Sequence, residues 1–147
     1  MSIRLFTYFL LVSATAFVAG CKKSTPPPVS ERIAKIWTAR IVNEGTATVY
    51  TKGGTSTKPG YSNFKLDLSK TPAVSYVEFD GNSFTGTWSV PTDNQLVLTG
   101  LNPQPTGTNG TITFTIDSLT DTELKLTRTT ASQKTGNSSN VYTLSNP

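Results

Sequence analysis

Hydrophobic and polar positions alternate with a period of two along much of this chain, the spacing of strands that bury one face and wet the other. In SFTGTWSV, Phe84, Gly86, Trp88 and Val90 share one face, while Thr85, Thr87 and Ser89 take the other. In TITFTIDS, Ile112, Phe114 and Ile116 oppose Thr111, Thr113, Thr115 and Asp117. ELKLTRT sets Leu124 and Leu126 against Lys125 and Thr127, and VSYVEF, FKLDL and NVYTLS are shorter versions. QLVLTGL is apolar on both faces near its start, which predicts a strand covered on both sides. Turn chemistry falls between these runs. Asp80-Gly81-Asn82 is a strong hairpin signal, because Gly and Asn tolerate positive φ. Asn43-Glu44-Gly45-Thr46 divides the segment from Ala34 to Lys52 into two strands. VPTDNQ and LTDTEL read as short turns, and GGTSTKPGYSN, NPQPTGTNG and ASQKTGNSS as longer loops. The tally is eight or nine strands. SERIAKI predicts a single turn of helix, with Ser30 placed to cap it and Glu31 in its first turn.

Because nearly every link is short, neighbouring strands should pair antiparallel. A meander of this size has two good solutions, closure into a small barrel or folding into an immunoglobulin-like two-sheet β-sandwich. The segment 31–147 is of one-domain size, and no internal repeat is visible. It is rich in Thr, Ser, Asn and Gly, which suits strands and turns better than helices.

The N-terminus follows a different pattern. After Arg4 come 16 residues without charge, LFTYFLLVSATAFVAG, too short and too often broken by Ser and Thr for a membrane span. A basic start, an apolar middle and a small-residue end have the layout of a signal peptide, residues 1–20. Val18-Ala19-Gly20-Cys21 resembles the lipobox of bacterial lipoproteins. That resemblance implies cleavage before Cys21, a diacylglycerol thioether on its sulfur, and an acyl chain such as palmitate on the new amine. Cys21 is the chain's single cysteine, so the mature domain has no internal disulfide to form. A thioether would also remove a free thiol that is a liability in an oxidising compartment. Each buried acyl methylene contributes roughly 0.8 kcal/mol, so two or three chains hold a protein on a bilayer almost permanently. Residues 21–30, with KKSTPPPVS after the cysteine, read as a stiff, extended tether. Lys22 and Lys23 fall where phosphate headgroups would lie. The expected location is the bacterial cell envelope, lipid-anchored in the outer membrane and facing the periplasm. Surface-exported lipoproteins of some Gram-negative bacteria carry acidic residues just after the cysteine, and this tether has none.

Charge and composition then narrow the chemistry. The formal charge of +4 falls to +3 without residues 1–20 and is scattered, so no nucleic-acid partner is expected. The sequence contains no histidine, which removes the commonest general base and metal ligand. Ser-His-Asp chemistry is therefore impossible, and zinc sites of usual composition are excluded. Carboxylates remain at Glu31, Glu44, Asp67, Glu78, Asp80, Asp93, Asp117, Asp121 and Glu123, mostly in turns or on predicted solvent faces. A hydrolytic pair would need two of them facing across a cleft. Asp80-Gly81-Asn82 does not continue into a calcium-ligand series. No catalytic residue, metal or cofactor is assigned.

Taken in order, several of these segments resemble the short lipocalin-like lipoproteins. KIWTARIV looks like their Trp-bearing first strand, YSNFKLDLS like their next recurrent strand, and FTGTWSV with DNQLVLTG like their central hairpin. IDSLTDTELKLTR is similar to their closing hairpin, and the likeness extends over residues 30–147. True lipocalins place Gly two residues before the first-strand Trp, where this chain has Lys35. The resemblance is thus to a loose lipocalin-like group. It implies an all-β antiparallel meander barrel and a non-enzymatic cup for a small apolar or amphipathic molecule.

Candidate lining residues are Trp37, Arg40, Phe64, Tyr76, Trp88, Phe114 and Arg128. Trp37 and Trp88 either line a cavity or plug the barrel floor, and core packing is the simpler expectation. Tyr61, Phe79, Phe84 and Tyr142 pose the same choice. Arg40 and Arg128 would meet an anionic head group if they point inward, and an exposed guanidinium is the simpler expectation for each. Asp117-Ser118-Leu119 is similar to the O-glycan acceptor of some exported bacterial proteins, although three residues often coincide by chance. The alternative role is structural, a solid barrel that meets an envelope protein partner through an edge strand or through loops such as Asn102 to Asn109.

Overall fold

A computed structural model describes residues 25–147. The segment read above as a signal peptide, Cys21 and the first residues of the expected tether lie outside the described residues. After a short helix α1 (Val29–Arg32) come nine strands: β1 (Ile36–Glu44), β2 (Ala47–Thr51), β3 (Lys65–Lys70), β4 (Ala73–Val77), β5 (Ser83–Thr92), β6 (Gln95–Asn102), β7 (Ile112–Leu119), β8 (Glu123–Arg128) and β9 (Asn140–Ser145). Every pairing is antiparallel, and β9 returns to pair with β1, from Thr38↔Ser145 to Glu44↔Asn140. Eight strands, β1 and β3–β9, therefore close into a barrel, and β2 is an additional strand on β1. Closure excludes the two-sheet sandwich.

Closure of so small a sheet requires strong coiling, and bulges supply it. The register shifts within β1, β3, β5 and β7. In β1 the β9 register passes from Ala39 to Ile41, which leaves Arg40 as the extra residue. The inward series of β1 then runs Trp37, Ala39, Val42. Elsewhere the period of two holds. Leu66 and Leu68, Val74 and Tyr76, Phe84 and Trp88, Leu96 and Leu98, Ile112 and Phe114, Leu124 and Leu126, and Tyr142 and Leu144 all point into one buried core.

Register places the hairpins at two opposite ends. One end carries the β3–β4, β5–β6 and β7–β8 turns together with α1, which stoppers it. Ile33 is fully buried there. Trp37 Nε1 donates to Ile33 O at 2.9 Å. Arg32 donates to Leu119 O at 2.7 Å, and Lys35 to Asp121 O at 2.7 Å. The other end, the mouth, carries segments 52–64, 78–82, 103–111 and 129–139. Within the first of these, Pro59–Asn63 forms a 3-10 turn that packs against β1 and β2.

Two local expectations are corrected. Ser30 lies inside α1 and not at its cap; Pro28 takes that position without a side-chain hydrogen bond. Of QLVLTGL, Leu96, Leu98 and Leu101 are buried, and Val97 is half-exposed on the outer wall, because a single-layer barrel has nothing outside it to cover that face. The Asp80-Gly81-Asn82 turn forms as expected: Gly81 has φ +84°, and Asp80 accepts the Asn82 backbone N–H at 3.1 Å.

Candidate functional site

Below the mouth, aromatic side chains from distant strands meet. Phe64 stacks on Tyr142 with centroids 4.9 Å apart and meets Tyr76 edge-on at 5.7 Å. Phe114 approaches the same Tyr142 edge-on at 6.1 Å. Tyr61, carried inward by the 3-10 turn, lies 4.9 Å from Phe79 and 6.4 Å from Tyr142. Such pairs prefer offset and edge-on geometries because ring faces are negative and ring edges positive.

Two charges are buried among these rings. Arg128 is 2% exposed and Glu78 5% exposed, and their closest approach, Arg128 Nη1 to Glu78 Oε1, is 3.6 Å. That is an ion pair, but it is longer than a hydrogen bond. Arg128 Nε is buried without a hydrogen-bond partner among the described residues. Tyr76 Oη lies 3.5 Å from Glu78 Oε1, a marginal contact. The outer oxygen of Glu78 is 2.5 Å from Lys134 Nζ, which also reaches Asp80 at 2.7 Å. Lys134 belongs to the β8–β9 loop and its two carboxylates to the β4–β5 turn, so one ammonium fastens two mouth loops together. Elsewhere at the mouth Lys58 pairs with Glu44 at 2.5 Å, and Tyr61 Oη donates to the other oxygen of Glu44 at 2.7 Å.

The electrostatics follow from burial and pairing. Burial pushes the Tyr76 and Tyr142 hydroxyls above the ordinary tyrosine range, and the same holds for Tyr61, where Tyr142 and Glu44 add to the effect. For Lys134, burial alone would lower the pKa, but hydrogen bonds to Asp80 and Glu78 outweigh it and the net shift is upward. Burial likewise acts to raise Asp80, and is outweighed by Lys134 and the Asn82 N–H, so its carboxyl sits below its usual range.

The β8–β9 loop that roofs this site is internally organised. Buried Asn140 accepts from Ser138 Oγ at 2.7 Å and Thr135 Oγ1 at 3.2 Å, and donates to Tyr142 Oη at 3.2 Å. The space between Tyr61, Phe64, Tyr76, Glu78, Arg128 and Tyr142 amounts to about 190 Å3 including its opening to solvent, and is too narrow to seat a water molecule. Larger occupants need the loop to move. A larger, more open hollow of about 520 Å3 on the same measure lies over the outer wall at β3–β5, between Asp67, Lys70, Ala73 and Thr85. Among the described residues, no three of the metal-ligating types cluster closely enough to hold an ion.

Of the seven candidate lining residues, the structure brings Phe64, Tyr76, Phe114 and Arg128 together. Trp37 lies at the stoppered end. Trp88 is buried on β5, and its Nε1 has no hydrogen-bond partner among the described residues. Arg40 points outward into an exposed ion pair with Glu123, as the simpler expectation for it had it. Arg128 departs from that expectation and points inward. Its position was legible in the period, since Arg128 continues the inward series Leu124, Leu126. Glu78 continues Val74, Tyr76 in the same way, yet a carboxylate beside a turn reads as solvated. No short-range signal marks Lys134 or Asn140, whose roles depend on a loop folding back over the barrel.

The fold is lipocalin-like. A lipocalin-like protein from Bacteroides uniformis ATCC 8492 superposes with a TM-score of 0.52 at 16% identity, over 79% of this chain and 99% of the other. An uncharacterized protein from Bacteroides eggerthii DSM 20697 gives a TM-score of 0.49 at 14% identity, over 78% and 98%. No family model and no curated protein matches the sequence.

Proposed function

We propose that this is a membrane-anchored bacterial lipoprotein whose lipocalin-like barrel performs no catalysis and binds a small apolar or amphipathic ligand at its mouth. The observation that carries the reading is the buried Arg128–Glu78 pair set among aromatic rings under a loop that Lys134 ties to the β4–β5 turn. A barrel selected for rigidity alone would be at least as stable with apolar side chains there, because desolvating two charges offsets much of their attraction. Cys21, behind its apolar run, supports the lipid anchor, and the outer membrane's periplasmic face is the location we assign. The carboxylates near the site do not face one another freely, since Lys134 bridges Glu78 and Asp80.

Native mass spectrometry of the protein purified from a bacterial envelope tests the ligand. A retained mass that organic solvent extracts supports the reading; a clean apo mass, unshifted by lipids and small hydrophobes, overturns it. For the anchor, Cys21→Ala should move the protein from the detergent phase to the aqueous phase. If the variant partitions like the wild type, lipidation at Cys21 is wrong.

A second reading has its own observation. Below the mouth the interior is filled, with Leu66, Leu68, Leu96, Leu98, Leu124 and Leu144 all fully buried. A solid barrel suits a structural role, in which an envelope protein partner meets the outer wall or loops. Crosslinking of the full-length lipoprotein on its membrane would reveal that partner.

A further inference from the structure

We infer that Arg128 is an anion-recognition residue and that the mouth site takes a small organic carboxylate, its apolar body among the rings and its carboxylate on the guanidinium. This deepens the ligand-binding reading above and rests on it.

Three features of the site lead there. First, the guanidinium is nearly completely buried, and its Nε–H is without a partner among the described residues. A guanidinium offers five donors in a planar fork, and leaving one unmet in a desolvated site is unfavourable. Second, its one internal counter-charge stands off. Glu78 remains 3.6 Å from Nη1, while its other oxygen is drawn to Lys134 at 2.5 Å. Glu78 thus occupies the position of a carboxylate ligand without making the ligand's hydrogen bonds. Third, the surroundings are those of an amphipath. Phe64, Tyr76 and Tyr142 supply ring faces and edges, while Arg128 supplies the single full positive charge beneath them.

The apolar lining favours an organic carboxylate over inorganic phosphate. The fork can pair with two oxygens of either anion, but inorganic phosphate has no apolar body to set against Phe64, Tyr76 and Tyr142. Glu78 also explains how the fold tolerates a buried arginine. In the free protein it keeps Arg128 neutralised. On binding, the incoming carboxylate takes the fork, and Glu78 remains paired with Lys134. The mouth loops need to part only far enough to admit a flat molecule. The hollow over β3–β5 lacks this chemistry, because Asp67 there is half-exposed and Lys70 is exposed.

The test follows the Arg128 side-chain N–H signal in the full chain by nitrogen-15 NMR during titration with phenylacetate, phenylacetamide and inorganic phosphate. Phenylacetate should saturate, shift the Arg128 Nε–H and bind at least about tenfold more tightly than the amide, the margin expected of a charge-assisted pair. Glu78→Gln, which removes the internal competitor, should tighten phenylacetate binding. Arg128→Lys, which keeps the charge and loses the fork, should weaken it about tenfold while amide binding stays put. Equal affinity for acid and amide would overturn the anion inference and leave the apolar-ligand reading standing. Phosphate shifting Nε–H as far as phenylacetate would overturn the assignment to carboxylates. No binding in any arm would remove both the inference and the reading beneath it.

Discussion

Lys134→Met isolates the contact that holds the mouth closed. The substitution keeps most of the aliphatic stem that lies near Phe84, where Nζ stands 5.6 Å from the ring centre, and removes the ammonium. Two ion pairs disappear, one to Glu78 and one to Asp80, at 2.5 and 2.7 Å. They differ in worth. The Asp80 side chain is 32% exposed, so that pair contributes at most about 0.5–1 kcal/mol. The Glu78 side chain is 6% exposed, and breaking a fully buried pair costs about 3–5 kcal/mol. Two facts reduce that figure. The lysine is itself 19% exposed, and Glu78 retains Arg128, which can close the present 3.6 Å to hydrogen-bond length. We therefore expect a loss of about 1–2 kcal/mol in urea unfolding, well short of the buried-pair limit. The more specific readout is local. Backbone amides of the β8–β9 loop, such as Thr135 N to Ser132 O and Asn137 N to Ser132 O, should exchange faster, while those of β6 and β7 follow the global change alone. Lys134→Met with unaltered loop exchange and a stability change under about 0.5 kcal/mol would refute the idea that this lysine fastens the mouth. A cycle with Asp80→Asn apportions the two carboxylates, and the coupling to Asp80 should be the smaller one.

Other outcomes follow from the same geometry. Gly86→Ala would place a Cβ 2.5 Å from Thr99 O on the neighbouring strand, so a loss of about 2 kcal/mol or more is expected in thermal or urea unfolding. Arg40→Ala, which removes an exposed pair with Glu123 on the outer wall, should change stability by less than about 1 kcal/mol and leave any ligand affinity untouched. The pH dependence has a definite sign. Asp80 has a lowered folded pKa, so its contribution is present above the unfolded value of 3.8 and lost as pH falls through the lower, folded value. Lys134 has a raised folded pKa, so its contribution is present below 10.5 and lost as pH rises through the higher, folded value. Loop protection factors, corrected for the intrinsic pH dependence of amide exchange, should therefore hold between these limits and fall beyond each, and Asp80→Asn should weaken the acid limb.

The sequence by itself determined most of the walls. Alternation placed Phe84 and Trp88, Ile112 and Phe114, and Leu124 and Leu126 on inward faces because a single-layer sheet has one dry side, and that demand acts on each strand separately. The Asp80-Gly81-Asn82 turn was legible for the same local reason. Closure was not, since barrel and sandwich bury the same residues, and only the return of β9 to β1 separates them. The mouth was beyond local reading too. Glu78 and Arg128 lie 50 positions apart in sequence and become partners only when β4 and β8 face each other across the barrel. Whether a charge on a strand is solvated or buried depends on that opposite wall and on the loop above it. Arg40 and Arg128, one residue type on two strands, show the difference. Arg40 is the extra residue of the β1 bulge and meets solvent, whereas Arg128 shares its parity with the core and meets a carboxylate, because desolvating a guanidinium requires a counter-charge that only the tertiary structure can bring.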